Sequence, residues 1–360
     1  MDRLPLLVEM TRGRPGHYET RHAGSISVVD GSGAEFINLG DTDQAFPVRS
    51  AAKPFQLLPY LLDGLHLTHP RGSEELQPDL AVMMASHAGE PMHTTRVAEI
   101  LESIGLAADA LLCGAHWPYN EAARGELIRL GQTPSALHSN CSGKHAGMLA
   151  VCQRRGWALE SYLDADHPLQ RRIHDIIATL CGEAKTPLPR SVDGCSLPTY
   201  WLPIRGLARL FATLAYPQNA PLVENRAVDE ALGTVFTAAT RHPEMVGGTD
   251  RLDTRLMEAF AGRLFAKSGA AGIYAMSLAA CDAFPKGLGI AFKIEDGDPD
   301  SRVRALVACE ILRQLDVSPE ASEKEDPLSE IATATVRNVR GLAVGEYRPI
   351  FDLPQKGPGS

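Results

Sequence analysis

The stretch SISVVDGSGAEFINLGD, residues 25–41, decides the architecture expected for this chain. Two short segments rich in β-branched and aromatic residues flank a glycine-rich turn, and this pattern predicts a β-hairpin. A hairpin alone is unstable in water and needs further strands or a covering layer of helices. The rest of its sheet must therefore come from elsewhere in the sequence.

Matching strand patterns occur near the other end of the chain. Alternating apolar residues with glycine punctuation are found in AGIYAMSLA (271–279), GLGIAFKIEDG (287–297) and ATVRNVRGLAVGEY (334–347). Strands at both termini must meet in one antiparallel sheet to become stable. A sheet built from both chain ends argues against a division into serial domains.

The middle of the sequence is mainly helical. Apolar residues recur at spacings of three and four in TRVAEILESIGL, HDIIATLCGEA, RGLARLFATLA and VDEALGTVFTAATRH, and again in VRALVACEILRQLD among the late strands. We predict an α+β fold in which helices cover the antiparallel sheet. One catalytic unit is expected over 1–352, with sheet parts at 1–89 and 266–352, a mainly helical part at 90–265, a solvated linker at 318–330 and a tail at 353–360.

Composition and charge exclude several function classes. The 360-residue chain is 44% hydrophobic, which is enough for a sizeable core, and its net charge is −9 at pH 7. This balance offers no broad basic surface for nucleic acid or for anionic membranes. No window approaches about 18 uninterrupted apolar residues, and the N-terminal apolar run is too short for a signal peptide.

The seven cysteines are odd in number and widely scattered. This distribution argues against a secreted disulfide framework. We therefore expect a reducing, cytoplasmic location, where a special cysteine would be a metal ligand or a reactive thiol.

The segment RSAAKPFQLLPYLL, which begins at Arg49, carries an S-x-x-K motif. Ser50 and Lys53 are three residues apart, so on the first turn of a helix they share a face and their polar ends can touch. A lysine whose pKa is lowered by burial or by nearby cations can accept the serine proton and make the oxygen nucleophilic. The alternative is a helix-capping serine beside a surface lysine.

Two later segments strengthen this motif. LAVMMASHAGE is an apolar run that ends in Ser86 and His87, and FAKSGAAGIYAMS begins a predicted strand with the K-S-G motif containing Lys267. The order S-x-x-K, serine, K-S-G is that of serine β-lactamases and penicillin-binding proteins. The pattern favours acyl transfer through a serine nucleophile.

A second group of residues suggests a metal. The stretch SNCSGKHAGM crowds Cys141, Lys144 and His145 among small residues, and VDGCSLPTYWLP presents Asp193 and Cys195 in a turn. Two thiolates with Lys144 or His145 would supply three zinc ligands and leave a fourth position open. Histidine is the more usual ligand, because an amine must lose its proton to bind metal. A buried structural cysteine and a cysteine–histidine nucleophile are the alternatives.

The segment RHPEMVGGTDR, residues 241–251, is a further candidate. Arg241, His242 and Glu244 precede a glycine pair that permits a tight turn. The segment could bind the charged ends of an amino acid, or it could be an ordinary polar helix end.

Taken together, these segments resemble the rhizobial-type, thermolabile L-asparaginase family, often called asparaginase II. The resemblance is carried by RSAAKP, MASH, SNCSGKHAGML, DHPLQ, DGCSLPT and RHPEMVGG, which occur in the family's order between roughly residues 5 and 350. It implies a fold similar to serine β-lactamases and glutaminases, hydrolysis of L-asparagine to L-aspartate and ammonia, and a homodimer.

The resemblance also assigns roles to individual residues. The catalytic assignments are Ser50 as nucleophile, Lys53 as its base, and Ser86 with Lys267 as a second Ser-Lys pair. The zinc assignments are Cys141, Lys144 and Cys195. The substrate-binding assignments are Arg49, His87, His145 and Asp193, the last of these near the substrate amine.

Other functions stay open beside this one. A β-lactamase-like or esterase-like acylase could use the same Ser-Lys core, and glutamine differs from asparagine by one methylene, worth about 1–3 kcal/mol in a pocket. A silent protein that only binds zinc or an amino acid would lack the nucleophile or the base, but Ser50 and Lys53 are both present. The sequence therefore favours an L-asparaginase that works through a covalent acyl-enzyme.

Overall fold

The computed structural model describes residues 4–13, 17–183, 187–298, 301–319 and 327–354. Within them the strands are β1 Leu6–Thr11, β2 Tyr18–Asp30, β3 Glu35–Leu39, β4 Ala45–Pro47, β5 Arg190–Val192, β6 Pro198–Pro203, β7 Leu264–Ser268, β8 Ile273–Leu278, β9 Leu288–Ile294, β10 Thr335–Arg337 and β11 Ala343–Pro349. The α-helices are α1 Lys53–Gln56, α2 Leu58–Leu62, α3 Ser73–Met83, α4 Pro91–Ser103, α5 Glu121–Arg129, α6 Ser142–Arg155, α7 Pro168–Leu180, α8 Ile204–Ala215, α9 Asp229–Arg241, α10 Pro243–Val246, α11 Leu252–Ala259, α12 Arg302–Gln314 and α13 Pro327–Ile331.

The main sheet joins the two ends of the chain. Its strand order is β10-β11-β1-β2-β9-β8-β7, with β3 also paired to β2. Every pairing in it is antiparallel. The predicted α+β class and the sheet built from both chain ends are confirmed.

The predicted hairpin at 25–41 is formed by β2 and β3. The Asp30 carboxylate accepts a hydrogen bond from the Ser32 N–H at 2.9 Å. Gly33 adopts a φ of 84°, in the left-handed region that glycine enters without steric cost. Past this turn Ile26 lies opposite Leu39, so the register follows from the local turn chemistry.

A helix covers the centre of the sheet. Helix α8 packs against β2, β8 and β9, while α12 contacts β1 and β11. At Gly289 in β9, a Cβ atom would lie 2.0 Å from the Ala208 carbonyl oxygen of α8. The absence of a side chain there allows α8 to lie directly on the strand.

The part predicted to be mainly helical, 90–265, contains α4 to α11 but also two strands. These strands, β5 and β6, form a small antiparallel sheet with β4 in the order β4-β6-β5, which the sequence did not predict. Its position matters because the Val48 N–H donates to the Tyr200 carbonyl at 2.9 Å, just before the S-x-x-K motif. None of the described helices is both long and apolar enough to cross a bilayer.

Two segments near the C-terminus differ from expectation. The predicted linker at 318–330 falls partly outside the described residues, but its last residues start α13, where Leu328 is buried against the fold. Leu353, expected at the start of a tail, is also buried and its N–H donates to Gln314 Oε1 at 2.7 Å. Residues 355–360 lie outside the described part. Apolar contacts with the core explain both differences.

Candidate active site

Ser50 lies on a turn that the small sheet holds in place. Arg49 adopts a φ of 50°, which non-glycine residues rarely occupy. Its N–H donates to Thr199 Oγ1 at 3.1 Å, and its Nε donates to Asp193 Oδ1 at 2.5 Å. The chain continues into a 3-10 helix at Arg49–Ala52, on which Ser50 stays partly exposed.

Lys53 directs its amine to Ser86 and to two backbone carbonyls. The side chain is buried, and Nζ contacts the Ala85 carbonyl, the Asn140 carbonyl at 3.2 Å and Ser86 Oγ at 3.0 Å. Among the hydrogen bonds of the described residues none joins the Ser50 hydroxyl to Lys53, so the two side chains are not hydrogen-bonded to each other. A buried amine needs buried acceptors, and the oxygens beyond the end of α3 and before α6 supply them.

Ser86 is shared by two lysines. It follows the end of α3, and its N–H donates to the Val246 carbonyl at 3.0 Å. Lys267 Nζ lies 2.9 Å from Ser86 Oγ, opposite Lys53. Burial lowers the pKa of both amines, that of Lys267 to about 8. The predicted Ser86–Lys267 pair is present, although the K-S-G motif ends β7 and does not begin a strand.

This arrangement determines to which lysine the Ser86 hydroxyl can transfer its proton. A neutral lysine amine has one lone pair and can accept the hydroxyl proton, whereas an ammonium can only donate. The two carbonyls beside Lys53 take two N–H groups, which leaves the lone pair of a neutral amine for Ser86. If Lys267 is the charged partner, Ser86 can pass a proton to one lysine while accepting a hydrogen bond from the other.

The predicted zinc ligands form one buried cluster. Cys141 precedes α6 and Lys144 lies on its first turn, so both side chains face the turn that carries Cys195. Lys144 Nζ is 3.2 Å from Cys195 Sγ. A hydrogen bond from Cys195, together with the nearby amines of Lys53 and Lys144, holds the pKa of Cys141 well below its usual range. The same bond and burial raise the pKa of Cys195.

The donors at this cluster fit zinc on one condition. Within the described residues no three His, Cys, Asp or Glu side chains are placed to hold a metal ion, so a zinc here would require Lys144 as its third ligand. Burial alone would lower the pKa of Lys144. The nearby sulfurs of Cys141 and Cys195 have the opposite and larger effect, so the pKa is raised above its usual value. Metal binding would therefore have to displace a proton from this amine. All seven cysteines, each in a described position, are free thiols.

His145 is turned towards a tyrosine and makes no hydrogen bond to either sulfur. Its Nδ1 lies 2.6 Å from the Tyr162 hydroxyl, which accepts the Leu112 N–H at 3.0 Å. If the Tyr162 hydroxyl donates to Nδ1, the proton of the neutral ring sits on Nε2. That Nε2 has no hydrogen-bond partner among the described residues although it is buried. Burial and the cations of Lys144 and Lys53 lower the pKa of His145 well below its usual range.

His87, expected to bind substrate, uses both ring nitrogens inside the protein. Nδ1 accepts the Gly89 N–H at 3.2 Å, so Nε2 carries the proton and donates to Ser142 Oγ at 2.9 Å. Ser142 in turn donates to the Leu137 carbonyl. Burial and neighbouring positive groups lower the pKa of His87 well below its usual range. The residue therefore ties the Ser86 segment to the start of α6.

The RHPEMVGG segment supports the site through its backbone. It forms α10, whose Val246 carbonyl holds the Ser86 N–H. Gly248 has a φ of 105°, and the following Thr249 binds the Glu90 carboxylate through its N–H at 2.8 Å and its hydroxyl at 2.7 Å. His242 and Glu244 pair with each other at 3.5 Å.

Several contributing groups were missed by the motif reading. The carbonyls of Ala85 and Asn140 bind Lys53, but backbone oxygens leave no signature in side-chain patterns. Thr199 ends the DGCSLPT motif and could have been chosen as a polar residue within it. Asp253 pairs with Lys267 at 3.6 Å, yet it belongs to no motif and no sequence signal singled it out.

Comparisons with known proteins give one family and a group of distant structures. The family model described as L-asparaginase II matches residues 8–349. No curated protein matches the chain significantly. A crystal structure of Mglu is 17% identical, with a TM-score of 0.42, and the alignment covers 84% of this chain and 69% of that chain.

Two further solved structures are those of a glutaminase and a probable glutaminase. A Bacillus glutaminase crystallised with 4.3 M NaCl is 13% identical, with a TM-score of 0.43, and the alignment covers 82% of this chain and 91% of that chain. A probable glutaminase from Bacillus subtilis, complexed with 6-diazo-5-oxo-L-norleucine, is 14% identical with a TM-score of 0.39. That alignment covers 82% of this chain and 84% of that chain.

Proposed function

This chain belongs to the L-asparaginase II family and is an amidohydrolase of the asparagine and glutamine type, and we propose that its own reaction is the hydrolysis of L-asparagine through a serine acyl-enzyme. The observation that carries the mechanism is the convergence of Lys53 and Lys267 on Ser86 at 3.0 and 2.9 Å. Two buried lysines with lowered pKa values around one hydroxyl suit proton transfer near neutral pH.

Ser50 is the proposed nucleophile. It is partly exposed, and its N–H precedes the first hydrogen bond of the 3-10 turn, which runs from the Ala51 N–H to the Val48 carbonyl. That N–H is a candidate donor to the oxyanion. Ser50 Oγ attacks the side-chain amide carbon, and its proton passes to Lys53, whose amine must first turn from the acceptors that it binds in the free protein. The amide nitrogen takes up a proton and leaves as ammonia, and water then hydrolyses the ester.

The charged ends of the substrate have matching partners. Arg49 and Asp193 are paired with each other beside Ser50 in the free protein. Although burial opposes it, the cations of Lys144 and Arg49 hold the pKa of Asp193 below its usual range. An amino acid would bring a carboxylate to Arg49 and an ammonium to Asp193, exchanging one ion pair for two. Nε2 of His145, which has no hydrogen-bond partner among the described residues, is a further candidate to bind substrate.

Zinc is the proposed cofactor, held by Cys141, Lys144 and Cys195. When bound, it would supply a positive field and Lewis acidity beside the substrate. In this scheme the chain's own part is to make Cys141 easier to deprotonate and to exclude other ligands by burial. The proton that Lys144 must lose makes the expected affinity for zinc rise with pH. The homodimer and the cytoplasmic location stay predictions.

Ammonia release by the purified protein tests the reaction. Asparagine, glutamine, nitrocefin and a nitrophenyl ester form the panel, and only turnover of asparagine in preference to the others supports the proposal. Ser50→Ala should lower turnover of asparagine by roughly a thousandfold or more, because no acyl-enzyme can form. Mass spectrometry of denatured, acid-quenched enzyme should place the acyl group on the peptide containing Ser50.

Several outcomes would contradict this assignment. An acyl group on the Ser86 peptide, with turnover retained in Ser50→Ala, would make Ser86 the nucleophile. Hydrolysis of nitrocefin or the ester alone would favour a β-lactamase-like or esterase-like acylase. Tight binding of asparagine without ammonia would indicate a binding protein.

A further inference from the structure

Lys267 has a second buried partner beside Ser86. Asp253, near the start of α11, places Oδ2 3.6 Å from Lys267 Nζ, and the two side chains are 4% and 0% exposed. The same Oδ2 accepts the Ser268 N–H at 2.9 Å and the Ser268 hydroxyl at 2.8 Å. These two bonds fix the carboxylate beside the end of β7.

The surroundings of the Lys267 amine match an ammonium. Three oxygens face Nζ: Ser86 Oγ at 2.9 Å, the Ser268 carbonyl at 3.3 Å and Asp253 Oδ2 at 3.6 Å. An ammonium has N–H donors and no acceptor, so it can donate to Ser86 Oγ and to the Ser268 carbonyl while its charge faces Asp253. A neutral amine would leave the buried Asp253 carboxylate without the cation that faces it at 3.6 Å.

The other oxygen of Asp253 is also informative. Oδ1 is buried and has no hydrogen-bond partner among the described residues, and neither has the nearby Tyr274 hydroxyl. Burial and the Asp253 carboxylate raise the pKa of Tyr274 well above its usual range. A buried carboxylate is stabilised by a cation beside it, and Lys267 is paired with this one at 3.6 Å.

We propose that Asp253 is a positioning residue for the hydrolysis: its carboxylate keeps Lys267 charged and directed at Ser86. The inference rests on the proposed function, in which Ser86 and Lys267 form the second Ser-Lys pair. Asp253 acts through Lys267 and does not touch the reacting atoms. Its effect is to keep Lys267 charged while the Lys53 amine can be neutral. The Ser86 proton can then pass only to Lys53.

The sign of the effect follows from the groups around Lys267. Burial lowers the pKa of Lys267 to about 8, and the cations of Lys53 and Arg251 act in the same direction. The Asp253 carboxylate and the Cys141 thiolate oppose them and raise it. An opposite charge at such a distance changes a pKa by about one to three units. Loss of the Asp253 charge should therefore lower the midpoint of Lys267 and deplete its charged form at neutral pH.

The test compares Asp253→Asn with the parent over pH 6 to 10. If Lys267 works in its charged form, the alkaline limb of kcat/KM for asparagine should move to lower pH by about one unit or more, a loss of about tenfold at pH 9. Asp79→Asn is the matched control, because Asp79 is an equally buried carboxylate paired with Arg71, Arg96 and His69. The control can lose stability, but its alkaline limb should stay in place.

A second measurement does not depend on turnover. Lysine labelled with ¹³C at Cε gives a resonance for Lys267, identified by its loss in Lys267→Met, and its titration midpoint should fall in Asp253→Asn. Asp253→Glu keeps the negative charge. It should therefore fold even if Asp253→Asn unfolds through loss of that charge. Its Lys267 titration midpoint should lie nearer to that of the parent than the midpoint of Asp253→Asn does.

The outcomes separate the two proposals. A parent that releases no ammonia from asparagine or glutamine defeats the proposed function, while the Lys267 titration still tests the link to Asp253. Midpoints and alkaline limbs that coincide in the parent and Asp253→Asn would overturn this inference. An Asp253→Glu midpoint as low as that of Asp253→Asn would overturn it as well.

Discussion

Cys141 and Cys195 are both buried thiols, yet they are not equivalent. The interaction between them lowers the pKa of Cys141 and raises that of Cys195, so Cys141 is the more acidic of the two thiols. Lys144, 3.2 Å from Cys195, keeps its proton under the influence of both sulfurs. The lowered pKa of Cys141 would favour binding of the proposed zinc ion, because the thiolate is the form that binds metal.

Metal content tests that reading. Protein purified with added zinc should hold about one ion per chain, and Cys141→Ser and Cys195→Ser should each lose most of it, because two thiolates are needed. Chelation should leave the parent folded and raise KM for asparagine more than it lowers kcat, since the metal is expected at a substrate site and not in the core. Elemental analysis, circular dichroism and ammonia release measure the three effects.

Cys281→Ser is the control, because Cys281 is the only cysteine in the chain that is not buried. It should retain the metal and the kinetics of the parent. Zinc-free parent protein after supplementation, with both cysteine variants kinetically unchanged, would remove the metal from the scheme. Unfolding on chelation would instead show a structural zinc.

Helix α6 comes very close to α3, and one glycine explains how. A Cβ atom on Gly143 would lie 2.2 Å from the Val82 carbonyl oxygen. The contact sets the start of α6 against the end of α3, which is where Asn140 and Ser86 present their oxygens to Lys53. Gly143 in SNCSGKHAGM therefore allows the two helices to pack closely, in addition to the access for a ligand expected from the sequence.

A pair of glycine substitutions tests this contact. Gly143→Ala should lower the free energy of unfolding by about 1–3 kcal/mol or more, because a backbone oxygen cannot yield to the new methyl group. It should also reduce turnover, since α6 must move away from Lys53. Urea unfolding and ammonia release measure the two effects.

Gly125 is the control, because it is also a glycine within an α-helix. It lies inside α5, and a Cβ atom there meets nothing within 4 Å. Gly125→Ala should therefore stabilise the protein by about 0.5–1 kcal/mol and leave turnover unchanged. Equal stability of the two variants would mean that the α3–α6 approach does not limit packing.

The whole molecule brings distant parts of the chain to one hydroxyl. Ser86 meets Lys53 from 33 positions away and Lys267 from 181 positions away. The main sheet makes this possible, because β2 pairs with β9, and β9 leads through β8 to β7, which carries Lys267. On its other side β2 pairs with β1, and β1 pairs with β11, so that the two ends of the chain are joined. The Ile350 N–H extends that junction by donating to the Leu7 carbonyl at 2.9 Å.

Removal of residues 335–360 tests how far the site depends on this junction. The deletion takes away β10 and β11 and the buried Phe351 and Leu353, at about 1.5–3 kcal/mol for each side chain. Every candidate site residue precedes the cut. We expect a clear fall in Tm by calorimetry, with turnover per folded molecule retained at low temperature.

A shorter deletion is the control. Removal of 355–360 leaves every described contact in place, so its Tm should equal that of the parent. If the two deletion variants have the same Tm, β11 contributes nothing to the stability of the sheet. Loss of turnover in the longer deletion while it is still folded would show that the C-terminal strands shape the site directly.

Local patterns in the sequence predicted what local forces form. The turn at Asp30 and Gly33, the helices with apolar spacings of three and four, and the strands at both ends arise from neighbours along the chain. The motif residues were also recognisable, because few residue types perform this chemistry. The family match over residues 8–349 agrees with that reading.

Only the tertiary structure decided which of these residues meet. The spacing of Ser50 and Lys53 predicted a direct contact, but burial of Lys53 turned its amine to Ser86 and to two backbone carbonyls. Asp253 became a partner of Lys267 in the same way, through the packing of α11 on β7. A buried charge takes the nearest buried acceptor in space, and position along the sequence does not reveal which acceptor that is.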